Sequence, residues 1–385
     1  MPEILYPATG DELRGALLAA ASVRQSIELF GGDSKRLMAG AVSPAEVRIS
    51  TTRLCRLLQY EPRDLTVSVE AGMRLADLNR QLAVRNQMLP LDGPWSETAT
   101  VGGMMAANIS GHRRRLYGTA RDLVIGMQFA TLEGKLVETG GMVVKNVAGL
   151  DMAKMMIGSF GTLAAIVSVN FKVVPRPAAA RTYLISFGDV GAAMAVRDQV
   201  MRGYLNPAAV ELLNPVLSTQ LSLTGYVLAV LFNGNEQVMD RVRRESQAWG
   251  PVRELPPEEE TSFWHSMDNL TPQYMETFRD GAVVRLSCTL SSCGEVMKSA
   301  KGPCHAHAGS GVVRSWFPGP DTAAPWLAQG LKRGCKGVME FAGEGARSRL
   351  TLWPEPGGDL AIMKRIKHMF DPEGLLNRGR LYGQI

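Results

Sequence analysis

Three stretches concentrate glycine with small or hydroxyl residues: "GGDSK" (31–35), "TVGGMMAANISG" (100–111) and "GSFGTLAAI" (158–166). Backbone N–H groups in such turns converge into concavities that bind anions. The Gly102-Gly103 pair removes two Cβ atoms, so a flat or phosphate-bearing ligand can approach the main chain. Ser34, Thr100 and Thr162 can add hydroxyl donors, and Lys35 can offset phosphate charge. The plainer alternative is that these are only turns, most of all for "GGDSK". Neither GxGxxG between strand and helix nor GxxxxGK[ST] is present, so a dinucleotide would have to be held in another fold. A second run, "CHAHAGSGVVRSW" (304–316), brings Cys304, His305 and His307 together. A zinc site there lacks a visible fourth donor, so no metal is expected.

These loops need elements to position them. Thr9 and Glu12 form a capping box before a helix with Leu13, Ala16, Leu17 and Ala20 on one face. "SIELF" predicts a strand entering the first glycine turn. "LTVSVEAG" alternates Leu65, Val67 and Val69 and predicts a half-buried strand. A helix carrying Leu75, Leu78 and Leu82 follows. Residues 122–141 predict a hairpin turning near Glu133-Gly134. A strand with Val167, Val169, Phe171 and Val173 runs to Pro175 and Pro177, which should close a sheet and a domain. Beyond Pro177 the chain alternates strand-like runs ("RTYLISF", "YVLAVLF", "AVVRLSC") with helix-like ones, predicting a second αβ domain. "PPEEE" (256–260) reads as a solvated loop within it. The tail is a helix stopped at Asp371-Pro372 and Gly374.

Bulk properties narrow the class. The 385 residues suggest two domains. Forty-two basic against 37 acidic side chains give a net charge of +5. That excess is compatible with an anionic ligand and too small to imply nucleic acid. Five cysteines without a CxxC argue against a disulfide framework, a structural zinc or an iron–sulfur cluster, and fit a reducing compartment. The opening residues lack a basic then apolar leader, and no apolar run reaches the length of a membrane span. The expected location is the cytoplasm, or the cytoplasmic face of the inner membrane through partners.

Taken in order, "GGDSK", "SVEAGMRLADLNRQL", "LPLDGPWSETATVGGMMAANISG" and residues 113–177 resemble the FAD domain of the vanillyl-alcohol oxidase / PCMH-type flavoprotein family. "FDPEGLLNRGR" resembles that family's closing DPxGxxNPGR. The Gly-Asp-Ser-Lys and Lys-Asn-Val-Ala-Gly-Leu-Asp runs are most similar to the FAD-binding (E-type) subunits of bacterial glycolate oxidases. The resemblance implies an α+β fold: a PCMH-type FAD-binding domain of two αβ subdomains (1–177), an αβ cap domain with an antiparallel sheet (178–359), and a segment returning to the FAD domain (360–385). It implies that Gly31, Gly32, Asp33, Ser34 and Lys35 form the first pyrophosphate loop. Thr100, Gly102 and Gly103 would supply the second phosphate contact. Gly118, Arg121 and Asp122 would flank the cofactor, Asp122 orienting the loop, and Gly161, Thr162 and Ile166 would pass beside the adenosine half. Arg378, standing where the family has proline, should loosen the tail.

Many family members bind FAD covalently through histidine. Here the first loop has none, and the nearby His112 lies in the basic run "SGHRRR", expected to be exposed. Non-covalent FAD is therefore expected. Related 2-hydroxy-acid dehydrogenases carry a metal-binding H-x-G-D-G-N-x-H run and a later E-H-G. In this chain His307, Gly309 and Gly311 keep that frame. Ser310, Val312 and Arg314 replace its Asp, Asn and second His, and the nearest later stretch is "MEFAGEGARS". Oxidising glycolate needs a base for the hydroxyl proton and a clamp for the carboxylate; His307 and Arg314 are the economical assignment. The implied function is the FAD-binding subunit of a glycolate oxidase complex, with a sister flavoprotein subunit and an iron–sulfur subunit as partners. The alternatives are an assembly subunit with structural or no flavin, and a stand-alone FAD-dependent dehydrogenase of a D-lactate-like 2-hydroxy acid.

Overall fold

The computed structural model describes residues 2–143, 150–347 and 350–385. Within the Lys145–Asp151 run quoted above, residues 145–149 lie outside them.

The helix Gly10–Ser22 starts where its capping residues place it. Thr9 Oγ1 accepts from the Glu12 N–H at 3.1 Å. Glu12 reaches one residue further back than a capping box requires, accepting from the Ala8 N–H at 2.8 Å. Its buried Leu13, Leu17 and Ala20 pack with Ile27, Val47, Ile49 and Leu376. These cover a three-stranded parallel sheet in the order Glu3–Leu5, Val47–Ser50, Ile27–Phe30.

A five-stranded antiparallel sheet follows, ordered Leu57–Glu61, Thr66–Glu70, Ala165–Lys172, Val124–Ala130, Leu136–Gly140. Its last two strands are the expected hairpin, with Gly134 at φ +73°. Thr66–Glu70 is buried along its whole length rather than on one face. It lies inside the sheet with both faces covered, and its one charge is satisfied: Glu70 accepts from Arg56 N–H at 2.7 Å and from the Arg56 guanidinium at 2.8 and 3.1 Å.

The second half of the chain builds one eight-stranded antiparallel sheet. Its order is Val252–Glu254, Ala179–Phe187, Tyr226–Gly234, Ala209–Leu213, Cys304–His307, Val312–Phe317, Ala282–Ser287, Lys336–Ala342. Helices Val190–Arg202, Glu236–Ser246 and Pro320–Lys332 pack on it over a core including Val230, Val284 and Trp326. The acidic run at 256–260 is not a loop. It opens the helix Pro257–Thr277, with Pro257 in the first turn and Glu258, Glu259 and Glu260 facing the positive end of the helix dipole.

The tail returns to the first sheet and is not loose. The helix Asp359–Phe370 stops at Asp371, whose carboxylate accepts from the N–H groups of Leu375 and Leu376 at 2.9 and 2.8 Å. Asn377 accepts from the Leu29 N–H at 2.7 Å and donates to the Leu29 and Phe160 carbonyls. Arg380 donates to the carbonyls of Lys35, Arg36 and Gly40. Those bonds fix the turn that a proline at 378 would have stiffened. Among the described residues no helix is long and apolar enough to cross a membrane.

Candidate functional site

The first glycine loop leaves the strand Ile27–Phe30 and packs directly on the second. Thr100 caps the helix Val101–Ala107, its Oγ1 accepting from the Gly103 N–H at 3.2 Å. A Cβ on Gly31 would lie 2.3 Å from Thr100 Oγ1, one on Gly32 2.3 Å from the Thr98 carbonyl oxygen, and one on Gly102 2.7 Å from Ala71 Cβ. At these three positions protein packing is already reason enough for glycine. Gly103 differs, because its added Cβ would meet only Thr100 Oγ1, at 3.1 Å. It is the position where a missing side chain leaves room for a ligand.

That room is a cavity of about 650 Å³. Gly31, Gly32, Asp33, Ser34, Lys35, Thr100, Gly102, Gly103, Gly161 and Ile166 all line it. Thr162 does not: it is buried and donates to the Ser159 carbonyl at 2.7 Å. Gly118, Arg121 and Asp122 also lie outside the lining. Asp122 accepts from the Thr119 N–H at 2.7 Å, and Arg121 donates to the Lys154 carbonyl. They build a neighbouring turn rather than a cavity wall.

Three further cations and an amide reach the cavity that sequence reasoning missed: Arg36, Arg347, Arg380 and Asn377. The family-like tail was the available signal for the last two. Arg347 and Arg380 are held by main-chain carbonyls and pushed down to about 10 by burial. Lys35 Nζ donates to Ser34 Oγ at 3.1 Å and the Pro94 carbonyl at 2.9 Å, lies over the Trp95 ring, and is pushed down to about 7 by burial. A buried ammonium with only neutral partners is a site that an anion would stabilise. The open face at Gly103 and this cationic wall fit a dinucleotide bearing a diphosphate.

The second cluster lies on the eight-stranded sheet. Strand register sets Glu211 opposite His307, and His305 opposite Arg314. Glu211 spans both histidines: Oε1 lies 2.6 Å from His307 Nδ1 and Oε2 3.0 Å from His305 Nδ1. Arg314 donates from Nη1 to His307 Nε2 at 2.7 Å, and grips Glu340 through Nε at 2.6 Å and Nη2 at 3.2 Å. Burial pushes Glu211 well up, His305 down to about 3 and His307 well below its usual value. Burial also opposes charge on Arg314 and Glu340, but each keeps the other ionised. The structure thus brings together His307 and Arg314, the expected base and carboxylate clamp, and bonds them to each other and to Glu211 and Glu340. Glu211 and Glu340 were not legible as their partners.

A small cavity of about 50 Å³ beside this cluster is also lined by His112, from the FAD-like half, and by Asp268, from the helix Pro257–Thr277. His112 is buried, not exposed. It stacks on Trp264 at 4.2 Å and sits 3.0 Å from Asp92 Oδ2, off the line of a hydrogen bond. Among the described residues no histidine or cysteine lines the larger cavity.

Glu211, His305 and His307 have donor atoms within 4.8 Å of one another, a spacing a metal ion could use. The donor chemistry does not fit one. An arginine N–H can only donate, so His307 Nε2 accepts and the ring hydrogen lies on Nδ1, toward Glu211. His307 has no lone pair left for a metal.

Comparison with known proteins agrees with the large cavity. Residues 2–140 match the "FAD binding domain" model, and residues 349–381 match "FAD linked oxidases, C-terminal domain". The glycolate oxidase subunit GlcE of Escherichia coli (strain K12) is 35% identical over 161 residues, 42% of this chain and 45% of that protein. A D-lactate dehydrogenase of Anaerostipes hadrus is 30% identical over 264 residues, 64% of this chain and 55% of that protein. The chain spans about half the length of these curated relatives. The structure of 4-ethylphenol oxidase from Gulosibacter chungangensis superimposes with a TM-score of 0.75 at 13% identity, covering 99% of this chain and 88% of that one. These matches support the FAD-linked oxidase family. The fold is α+β with a PCMH-type FAD-binding domain and an antiparallel sheet domain, and FAD is the cofactor.

Proposed function

We propose that this chain, a PCMH-type FAD-linked oxidase by fold, is the FAD-binding subunit of a 2-hydroxy-acid oxidoreductase complex, with glycolate as the substrate converted to glyoxylate. The observation that carries the reading is the glycine-walled cavity with Lys35, Arg347 and Arg380 in its lining. In this reading the three cations and the loop amides hold the diphosphate, and Gly103 leaves its approach open. Bound FAD supplies two-electron acceptance and one-electron release. His307 and Arg314 are bonded within their own cluster. We therefore assign them to shaping the sheet face, and the removal of the hydroxyl proton to a sister flavoprotein subunit. An iron–sulfur subunit would receive the electrons. The absence of histidine and cysteine from the described cavity lining supports non-covalent attachment.

The test is to purify the chain alone and with its co-expressed neighbours, then record flavin content and bleaching by glycolate under argon. Bound flavin that bleaches only with the partners present supports the proposal. Bleaching of the lone chain by glycolate or D-lactate would instead make it a stand-alone dehydrogenase. A complex that assembles on this chain but bleaches equally when the chain carries no flavin would make it an assembly subunit.

A further inference from the structure

We propose that Arg314 is a built-in cation occupying the role of a divalent metal in the sheet-face cluster, so that this chain binds no metal there, and that shortening Arg314 opens a metal site. The inference does not depend on the electron-transfer role proposed above.

The register brings the parts together. Glu211, His305, Arg314, Arg285 and Glu340 come from five strands of one sheet, with Arg314 directly opposite both His305 and Arg285. Arg314 then reaches the acceptors a cation would use: one imidazole nitrogen and both oxygens of a carboxylate. The bidentate grip on Glu340 has the geometry that suits a planar guanidinium.

Three consequences exclude a metal ion while Arg314 is present. His307 spends its lone pair on Arg314 and its hydrogen on Glu211. Glu340 is taken by Arg314 and, at 3.4 Å, by Arg285. Of the three donors that lie close enough together to share an ion among the described residues, what remains is His305, stacked on Trp316, and a Glu211 carboxyl already shared between two rings. One imidazole and one shared carboxyl are fewer donors than a metal site uses, and a dication would sit beside a fixed guanidinium in a buried place. Replacing Arg314 with histidine frees His307 Nε2 and Glu340 and adds a third donor.

The experiment uses the purified flavin-loaded chain, equilibrated with Mn²⁺, which thiols bind poorly, and desalted before metal analysis. Wild type should retain below about 0.1 ion per chain and melt at the same temperature with or without Mn²⁺, whereas Arg314→His should retain about one and melt higher with it. Arg314→Ala frees the same two acceptors without adding one, and should retain less than Arg314→His but more than wild type. Wild type retaining about one Mn²⁺ that Glu211→Gln removes would overturn the proposal. So would a folded, flavin-loaded Arg314→His that retains none. If neither variant folds, with or without Mn²⁺, the wild-type metal content decides alone. Flavin absorbance in the same samples reports separately on the larger cavity.

Discussion

A Cβ added to Gly31 would lie 2.3 Å from Thr100 Oγ1, so the two cavity-lining loops are already packed against each other there. Gly31→Ala should force them apart. The overpacking costs about 1–3 kcal/mol, and flavin content should fall. Thr100→Ala removes the atom in the way, at a loss of about 1 kcal/mol of helix capping. The double variant should therefore recover flavin relative to Gly31→Ala alone, read as the ratio of flavin to protein absorbance. No recovery would mean the contact is not what Gly31 protects.

Gly103→Val separates binding from folding. Gly103 lines the cavity, and a Cβ added there would meet only Thr100 Oγ1, at 3.1 Å. Urea denaturation of the flavin-free protein should change little, while FAD affinity falls at least tenfold, about 1.4 kcal/mol. Stoichiometric flavin in a folded Gly103→Val would count against the assigned approach face.

Arg380→Met should weaken both. It removes donors to the carbonyls of Lys35, Arg36 and Gly40; the first keeps the Met38 N–H and the second keeps Arg347, so the acceptor left short is the Gly40 carbonyl, at about 1–3 kcal/mol. Arg380→Lys should rescue little, because an ammonium cannot span three carbonyls with a planar fork. Equal stability of the lysine variant and wild type in urea would contradict the bridging role.

Lys35 makes stability depend on pH in a definite direction. Burial lowers it from 10.5 to about 7, so between these values the unfolded chain holds a proton that the folded chain does not. Stability of the flavin-free protein from this group therefore rises with pH, from about 7 upward, and is flat below. Lys35→Met should flatten the urea-midpoint profile between about pH 7 and 9. A profile equally steep in both proteins would show that Lys35 is not its source.

The glycine loops were legible because their signals are local. Gly31-Gly32 and a Thr100 cap before a helix declare themselves within a few residues. Glu211 could not be read this way: it lies 96 residues from His307, and only antiparallel register joins them. The run at 256–260 reads as a loop because three adjacent charges mask the buried Phe263, Trp264 and Met267 that follow in the same helix. His112 sat among arginines in sequence, but its surroundings are Trp264 and two distant aspartates. The tail motif was visible, yet what replaced its proline was not, since Asn377 and Arg380 act on carbonyls from the other end of the chain.

That tie has a consequence in time. Leu29 and Asn377 are 348 residues apart, so a ribosome releases one partner long before it makes the other. The glycine loops must wait, incompletely walled, while those 348 residues are made. Flavin loading should therefore wait for residue 377, and a nascent chain stalled before Asn377 should emerge colourless.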